Sequence, residues 1–357
     1  MNPSSVRDLW GKLASASLTV GDMPQAGEVH TPWYVRVMLG ISGWIAAGFL
    51  FGFVGIAFAF VLENKTASFA VGLILITAAY AVFRVAPRND FTSMFALAVS
   101  LAGQVLMAIG VFGFLDRHTT DAMPWAAIAA IETVLAVAMP NFIHRVVSAC
   151  AAGLAFAYAC EVSGAHVVPA GVVAVAVAFV WLNEARFGKL HAIVTPIGYG
   201  LTLSFVQIEG TATLRNSMSV VFGSRTLPET SLWIGEALVV AALLVSVGVM
   251  LRRTGWARRE PRSVLALVAA AAIGAASFKA PGIAGGLMIV LLGFSNGNRV
   301  LLGLGIAALL FYVSGYYYLL DATLLVKSGV LMATGIVLLA ARWLVLNLVM
   351  PKEGVDA

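Results

Sequence analysis

From residue 38 to residue 349 the chain is a succession of apolar runs, most close to twenty residues long and separated by short polar breaks. An α-helix needs about 20 mainly apolar residues to cross a bilayer. Runs near that length fall at 38–62, 66–84, 91–114, 123–140, 143–162, 166–185, 190–207, 230–251, 263–279, 281–295, 298–319 and 322–349. The clearest breaks read RVAPRND, LDRHTTDAMP, NFIHR and RRTGWARREPRS. Inside lipid each backbone N–H and C=O must find a partner within the protein, so runs of this kind have to be helical. The expected fold is an all-α polytopic membrane protein, a helical bundle of about twelve transmembrane segments.

Composition rules out the soluble alternative. Hydrophobic residues make up 61% of the chain and charged residues 11%, against about 45–50% and about 25% in soluble globular proteins. A chain of 357 residues has too little interior to hide that much apolar surface, so lipid must be the solvent for most of it.

Lys and Arg set the orientation, because cytoplasmic loops carry an excess of them. Of the 22 in the chain, six (Lys65, Arg117, Arg215, Arg225, Lys279 and Lys327) fall on one side of the alternating connections and the other sixteen on the opposite side. Both termini are therefore expected in the cytoplasm. The segment 1–36 precedes the first run, and its polarity is not that of a cleavable signal peptide. SSVRDLWGKLA within it places Val6, Leu9, Trp10 and Leu13 on one helical face, which suits either an interfacial helix or one packed on the protein's own loops. An eight-segment block spans 37–251, a basic cytoplasmic linker 252–262, a four-segment block 263–349 and a tail 350–357. The five arginines of the linker serve as topology anchors, and they would also suit anionic headgroups.

Segments nine and ten are the weak point of the count. Only 33 residues separate Arg262 from Asn296, and SFKAPGIAGG interrupts them. Two short crossings fit, and so does a re-entrant hairpin with Lys279 and Pro281 at its tip, buried in protein or lining water. The largest stretch expected outside the membrane is 208–229, on the outer side. Tyr316, Tyr317 and Tyr318 close the eleventh segment and are expected to be interfacial anchors, with Trp10 as another, since an aromatic ring with a polar tip favours that depth. Asp321 opens the last segment at its positive dipole end, and Lys327 can reach back towards the outer surface. Cys150 and Cys160 lie about 15 Å apart along one helix, too far for a disulfide.

With the topology placed, TPWYVRVMLGISGWIAAGFLFGFVG at 31–55, LLGFSNGNRVLLGLG at 291–305 and YYYLLDATLLVKSG at 316–329 resemble the bacterial membrane family named "domain of unknown function 4401". The similarity runs over nearly the whole chain. The resemblance implies a bacterial inner-membrane protein, often encoded beside a second multi-pass protein and a small membrane-anchored protein named for a GDYxxLxY motif. It implies no established activity and no catalytic residues.

The residues themselves offer little conventional chemistry. GFSNG at 293–297 matches G-x-S-x-G, but a nucleophile elbow needs a strand before it, and here a hydrophobic run precedes a connector. The histidines His30, His118, His144, His166 and His191 show no metal-ligand spacing and lie mainly at segment ends. No metal, cofactor or nucleic-acid partner is expected. Asn64-Lys65-Thr66 fits a glycosylation sequon. Gly48/Gly52 and Gly198/Gly200 suit close helix approach.

What remains is polarity inside the membrane. Glu132 lies near the middle of the fourth segment, Gln104 is central in the third, and Glu236 lies near the outer end of the eighth. An ionisable group at the bilayer centre costs about 2.5–3.5 kcal/mol on insertion scales, so it must be paired, protonated or wet. Glu132, Glu236 and Gln104 are thus candidates for proton or cation binding, or for hydrogen-bonded helix packing. Glu236 and Lys327 have matched depth and opposite charge, and could pair. Two functions follow: a structural or regulatory subunit of a membrane complex, favoured by the family context, and a proton- or cation-coupled secondary transporter using Glu132. A lipid-linked membrane enzyme comes third.

Overall fold

The computed structural model describes residues 59–85, 90–115, 122–166, 168–222, 229–253, 261–278 and 280–319, with scattered positions between 10 and 52 and between 325 and 339. Among the described residues the regular structure is helical and contains no strand. The helices are α1 Ala59–Glu63, α2 Lys65–Val85, α3 Asp90–Leu115, α4 Met123–Ala138, α5 Phe142–Val162, α6 Val168–Leu182, α7 His191–Phe222, α8 Glu229–Arg253, α9 Pro261–Ser277, α10 Ile283–Ser295 and α11 Arg299–Leu319. Two short 3₁₀ turns join α6 to α7. Among the described residues five stretches are long and apolar enough to cross a membrane: Lys65–Val85, Phe91–Leu115, Phe142–Val162, Trp233–Arg253 and Arg299–Tyr317. α4, α6, α9 and α10 are apolar but shorter.

Helices α2 to α11 follow the second to eleventh apolar runs closely, with one difference. α7 continues to Phe222, well past the run ending at 207, so much of the stretch expected outside the membrane is helical. Hydropathy falls there, but IEGTATLRNSMSVVF contains no proline and no turn pair to end a helix. About half of the first run, all but scattered positions of the last, and most of the linker 252–262 lie outside the described residues.

The chain divides into two compact units, Met1–Phe60 with Ile74–Gly103, and Val61–Leu73 with Gln104–Ala357. In the first, Ile76, Ala79 and Phe83 of α2 and Ala96 and Leu97 of α3 are buried. Gly43 approaches so closely that an added Cβ would stand 3.1 Å from Met94 Cβ.

In the second unit, Asn64 caps α2, its Oδ1 accepting from the backbone N–H of Thr66 at 3.0 Å and Ala67 at 3.2 Å. The asparagine of the sequon is thus the helix start. Gly110 of α3 lies against Phe69, and Lys65 Nζ stands 5.2 Å from the Phe114 ring centroid. Further on, α5 packs on α4 and α7, α6 on α7 and α8, and α10 on α8 and α11. A core built around Trp181, Phe205, Leu243, Met288, Leu292 and Leu301 joins these helices.

Small residues let the backbones meet. Gly200 lets α7 touch α5, and Gly293 and Gly305 do the same between α10 and α11. Gly297, with φ at 65°, turns the chain between α10 and α11. Asn298 Oδ1 then caps α11 through Leu301 N–H at 3.1 Å and accepts from Tyr199 Oη at 2.9 Å. Ser295 of the GFSNG stretch donates to the Leu292 carbonyl of its own helix at 3.2 Å. It follows a helix and links two helices, so the nucleophile-elbow geometry is absent. Cys150 and Cys160 are both free.

A Cβ at Gly200 would be driven into the Val146 carbonyl oxygen and stand 2.6 Å from Ala149 Cβ. Gly200→Val is therefore expected to cost about 1–3 kcal/mol by overpacking, read as an earlier midpoint of thermal denaturation in detergent. Gly303→Ala, whose Cβ meets nothing within 4 Å, should leave that midpoint in place.

Candidate functional site

Glu132 sits in the middle of α4, is 6% exposed, and is not alone. Gln104 from α3 donates through Nε2 to Glu132 Oε2 at 3.2 Å and to Ser148 Oγ at 2.8 Å, and approaches His144 Nε2 at 3.4 Å. Ser148 Oγ lies 3.3 Å from His144 Nδ1. Three helices of one unit thus bring two predicted residues, Gln104 and Glu132, together with two that were not singled out. His144 had the look of an ordinary segment-end histidine, yet its side chain is fully buried, as is Ser148.

Local sequence explains the placement. The Met139–Asn141 link is extended at Met139, and the Asn141 side chain accepts from His144 N–H at 3.0 Å, which starts α5. His144 therefore enters in the first turn, and Ser148 lies on the same face one turn later. Two amide hydrogens of Gln104 face three acceptors, while the neutral imidazole offers one donor and one acceptor. Small shifts of hydroxyl rotor and imidazole tautomer therefore redirect the bonds without moving a helix. Such a cluster can hold a proton on the carboxyl group and exchange it with the imidazole through the Ser148 hydroxyl, which also bonds to Glu132.

A second cluster lies where α7, α8, α10 and α11 meet the α9–α10 turn. Glu236 of α8 is 7% exposed and Glu209 of α7 is 2% exposed, and the two carboxyl groups are close enough to interact electrostatically. Ser277, the last residue of α9, donates its hydroxyl to Glu236 Oε1 and accepts from Ala284 N–H at 3.1 Å. Tyr312 is fully buried and donates to the Val206 carbonyl at 3.0 Å. Gly282 has φ at 92°, and a Cβ there would meet the Tyr312 ring at 3.0 Å. The Tyr316 hydroxyl donates to the Pro281 carbonyl at 2.9 Å. One tyrosine expected at the interface thus bonds to the hairpin tip.

Tyr317 is half-buried, as is Trp10. Lys279, Lys327 and the Tyr318 side chain lie outside the described residues, so the Glu236–Lys327 pairing does too. Glu209 was missed because hydropathy alone ended the seventh segment two residues before it. The signal that could have found it is the unbroken helical character of 208–222. Among the described residues no group of three or more His, Cys, Asp or Glu could hold a metal ion.

Gln104 is the common donor of the first cluster. Gln104→Leu should cost about 1–3 kcal/mol, the usual penalty for leaving buried polar groups unsatisfied, measured by chemical or thermal unfolding in detergent. Gln104→Glu would keep acceptors and lose the amide donor, and should not restore stability.

No curated protein and no solved structure matches the chain. Residues 32–348 match the family model described as "Domain of unknown function (DUF4401)", and the chain belongs to that family.

Proposed function

We propose that this member of the DUF4401 family is a proton- or cation-coupled carrier of the bacterial inner membrane. The observation that carries the reading is the convergence of Glu132, Gln104, His144 and Ser148, from three helices, in the interior of a chain whose helices suit a membrane. Ionisable groups inside membrane helices are expensive and commonly mark ion pathways and proton relays. The cluster supplies a carboxyl group, an imidazole that can exchange tautomers, and a hydroxyl that can both donate and accept.

The α9–α10 hairpin supports the same reading. At a rise of 1.5 Å per residue α9 is about 25 Å long and α10 about 20 Å, both short of a hydrocarbon core of about 30 Å. The turn between them, at Pro281 and Gly282, seats on Tyr316 and Tyr312 beside Glu209 and Glu236. Interrupted helices of this kind are where transporters place their sites.

A subunit of a membrane complex is the second reading. One observation favours it: Glu132 and Glu236 already have side-chain hydrogen-bond partners within the bundle, as helix-packing groups would.

The test uses the full chain in proteoliposomes with an entrapped pH-sensitive dye and an imposed proton gradient. Glu132→Gln, close in shape, should slow proton entry by about tenfold or more and leave the thermal midpoint nearly unchanged. Unaltered entry in the variant would overturn the carrier reading. Stoichiometric co-purification of other membrane proteins, with no proton entry in the isolated chain, would establish the subunit reading.

A further inference from the structure

The end of α8 that carries Arg252 and Arg253 is flanked by two apolar grooves. The first, about 630 Å³, runs between α6 and α8. Its walls include Val175, Phe179, Leu238 and Val245, and its polar end holds Asn183, Arg186, Arg252 and Arg253. The second, about 530 Å³, is lined by α8 and α9, with Gly248, Val249, Leu267, Ser263 and again Arg252. Arg252, Val245 and Val249 belong to both. Two apolar channels therefore straddle one helix and meet at a shared arginine.

The polar groups at this junction are not all committed elsewhere. Arg253 donates to the Leu182 carbonyl and ties α8 to the end of α6. Among the described residues Arg186 reaches Asn183 Oδ1, at 3.3 Å, and is exposed, as is Arg252. Ser263 is 1% exposed, and among the described residues its hydroxyl has no hydrogen-bond partner. The neighbouring acid, Glu184, stands 4.0 Å from His191.

We propose that this end of α8 binds one anionic phospholipid. Its phosphate is held by Arg186 and Arg252, its glycerol-ester region lies within reach of Ser263, and its two acyl chains occupy the two grooves. A phosphodiester offers two charged oxygens that match the guanidinium fork. Lys and Arg at the ends of membrane helices are where such headgroups are recognised. A free anion would explain the arginines but not the paired grooves, and a neutral lipid would explain the grooves but not the arginines. The site is about 24 Å along α8 from Glu236, separate from both carboxyl clusters.

The full chain, purified in mild detergent and stripped of lipid, would be titrated with phosphatidylglycerol, phosphatidylcholine or inorganic phosphate. Bound lipid is counted by native mass spectrometry, and the thermal midpoint is followed in parallel. Wild type should retain phosphatidylglycerol and gain stability from it, with little response to phosphatidylcholine or to phosphate alone. Arg186→Gln with Arg252→Gln should weaken retention by about 30-fold, as expected from the attraction each arginine adds at an anionic surface. Gly248→Leu keeps every charge, and its Cβ meets nothing within 4 Å, but its side chain enters the second groove. It should weaken retention of the two-chain lipid while sparing a single-chain lysophosphatidylglycerol. Equal retention of the two headgroups by wild type, protection by phosphate alone, or undiminished binding in both variants would overturn the proposal.

Discussion

In a membrane no backbone carbonyl or amide can be left to water, and much of this structure follows from that one constraint. Helix ends and breaks are where it bites, because the last four carbonyls of a helix lack partners within it. The end of α6 shows the solution. Asn183 Nδ2 donates to the Phe179 carbonyl at 2.8 Å, Asn296 Nδ2 to the Trp181 carbonyl at 2.8 Å, and Arg253 to the Leu182 carbonyl. Side chains from the α10–α11 turn and from α8 thus converge on one helix terminus. Closing the hydrogen bonds of α6 also fixes where α8 and α10 stand.

The same logic governs the proline inside α7. Pro196 has no N–H, so the carbonyl four residues before it, Ala192, loses its helical donor. Arg145 of α5 supplies the replacement, donating Nη1 to that oxygen at 2.7 Å. The arginine that counts towards orientation in the sequence is therefore also a tie between α5 and α7. That tie lies at the end of the interface where Gly200 and Gly153 let the two backbones close on each other. Buried hydroxyls follow suit: Thr202 donates to the Gly198 carbonyl at 2.7 Å and accepts from Trp181 Nε1 at 3.0 Å. With polar ends matched this way, the remaining packing is apolar and close, as helix association in lipid requires.

Against that background the two carboxyl clusters stand out, because each brings a buried carboxyl group onto a side-chain partner from another helix. Glu132 was legible in the sequence from its depth alone, and so were Gln104 and Glu236. Their partners were not. Ser148 and Ser277 are small hydroxyl residues of a kind that occurs throughout membrane helices, and nothing in one dimension distinguishes these from Ser246, which returns its hydroxyl to its own helix. Glu209 was hidden by the fall in hydropathy after residue 207, though the helix itself runs on.

Periodicity and length settled the helical class and the positions of α2 to α11 within a few residues, apart from the C-terminal end of α7, which runs on to Phe222. Those follow from local rules, since a run of apolar residues in lipid has no alternative to a helix. Which helices touch, and so which polar side chains meet, was decided only by the tertiary structure. Gln104, Glu132, His144 and Ser148 span 45 positions of the sequence, and they meet only because three separate helices, α3, α4 and α5, come together, with Asn141 fixing where α5 begins. Hydropathy measures the cost of placing a residue in the bilayer and carries no information about the direction in which its side chain points.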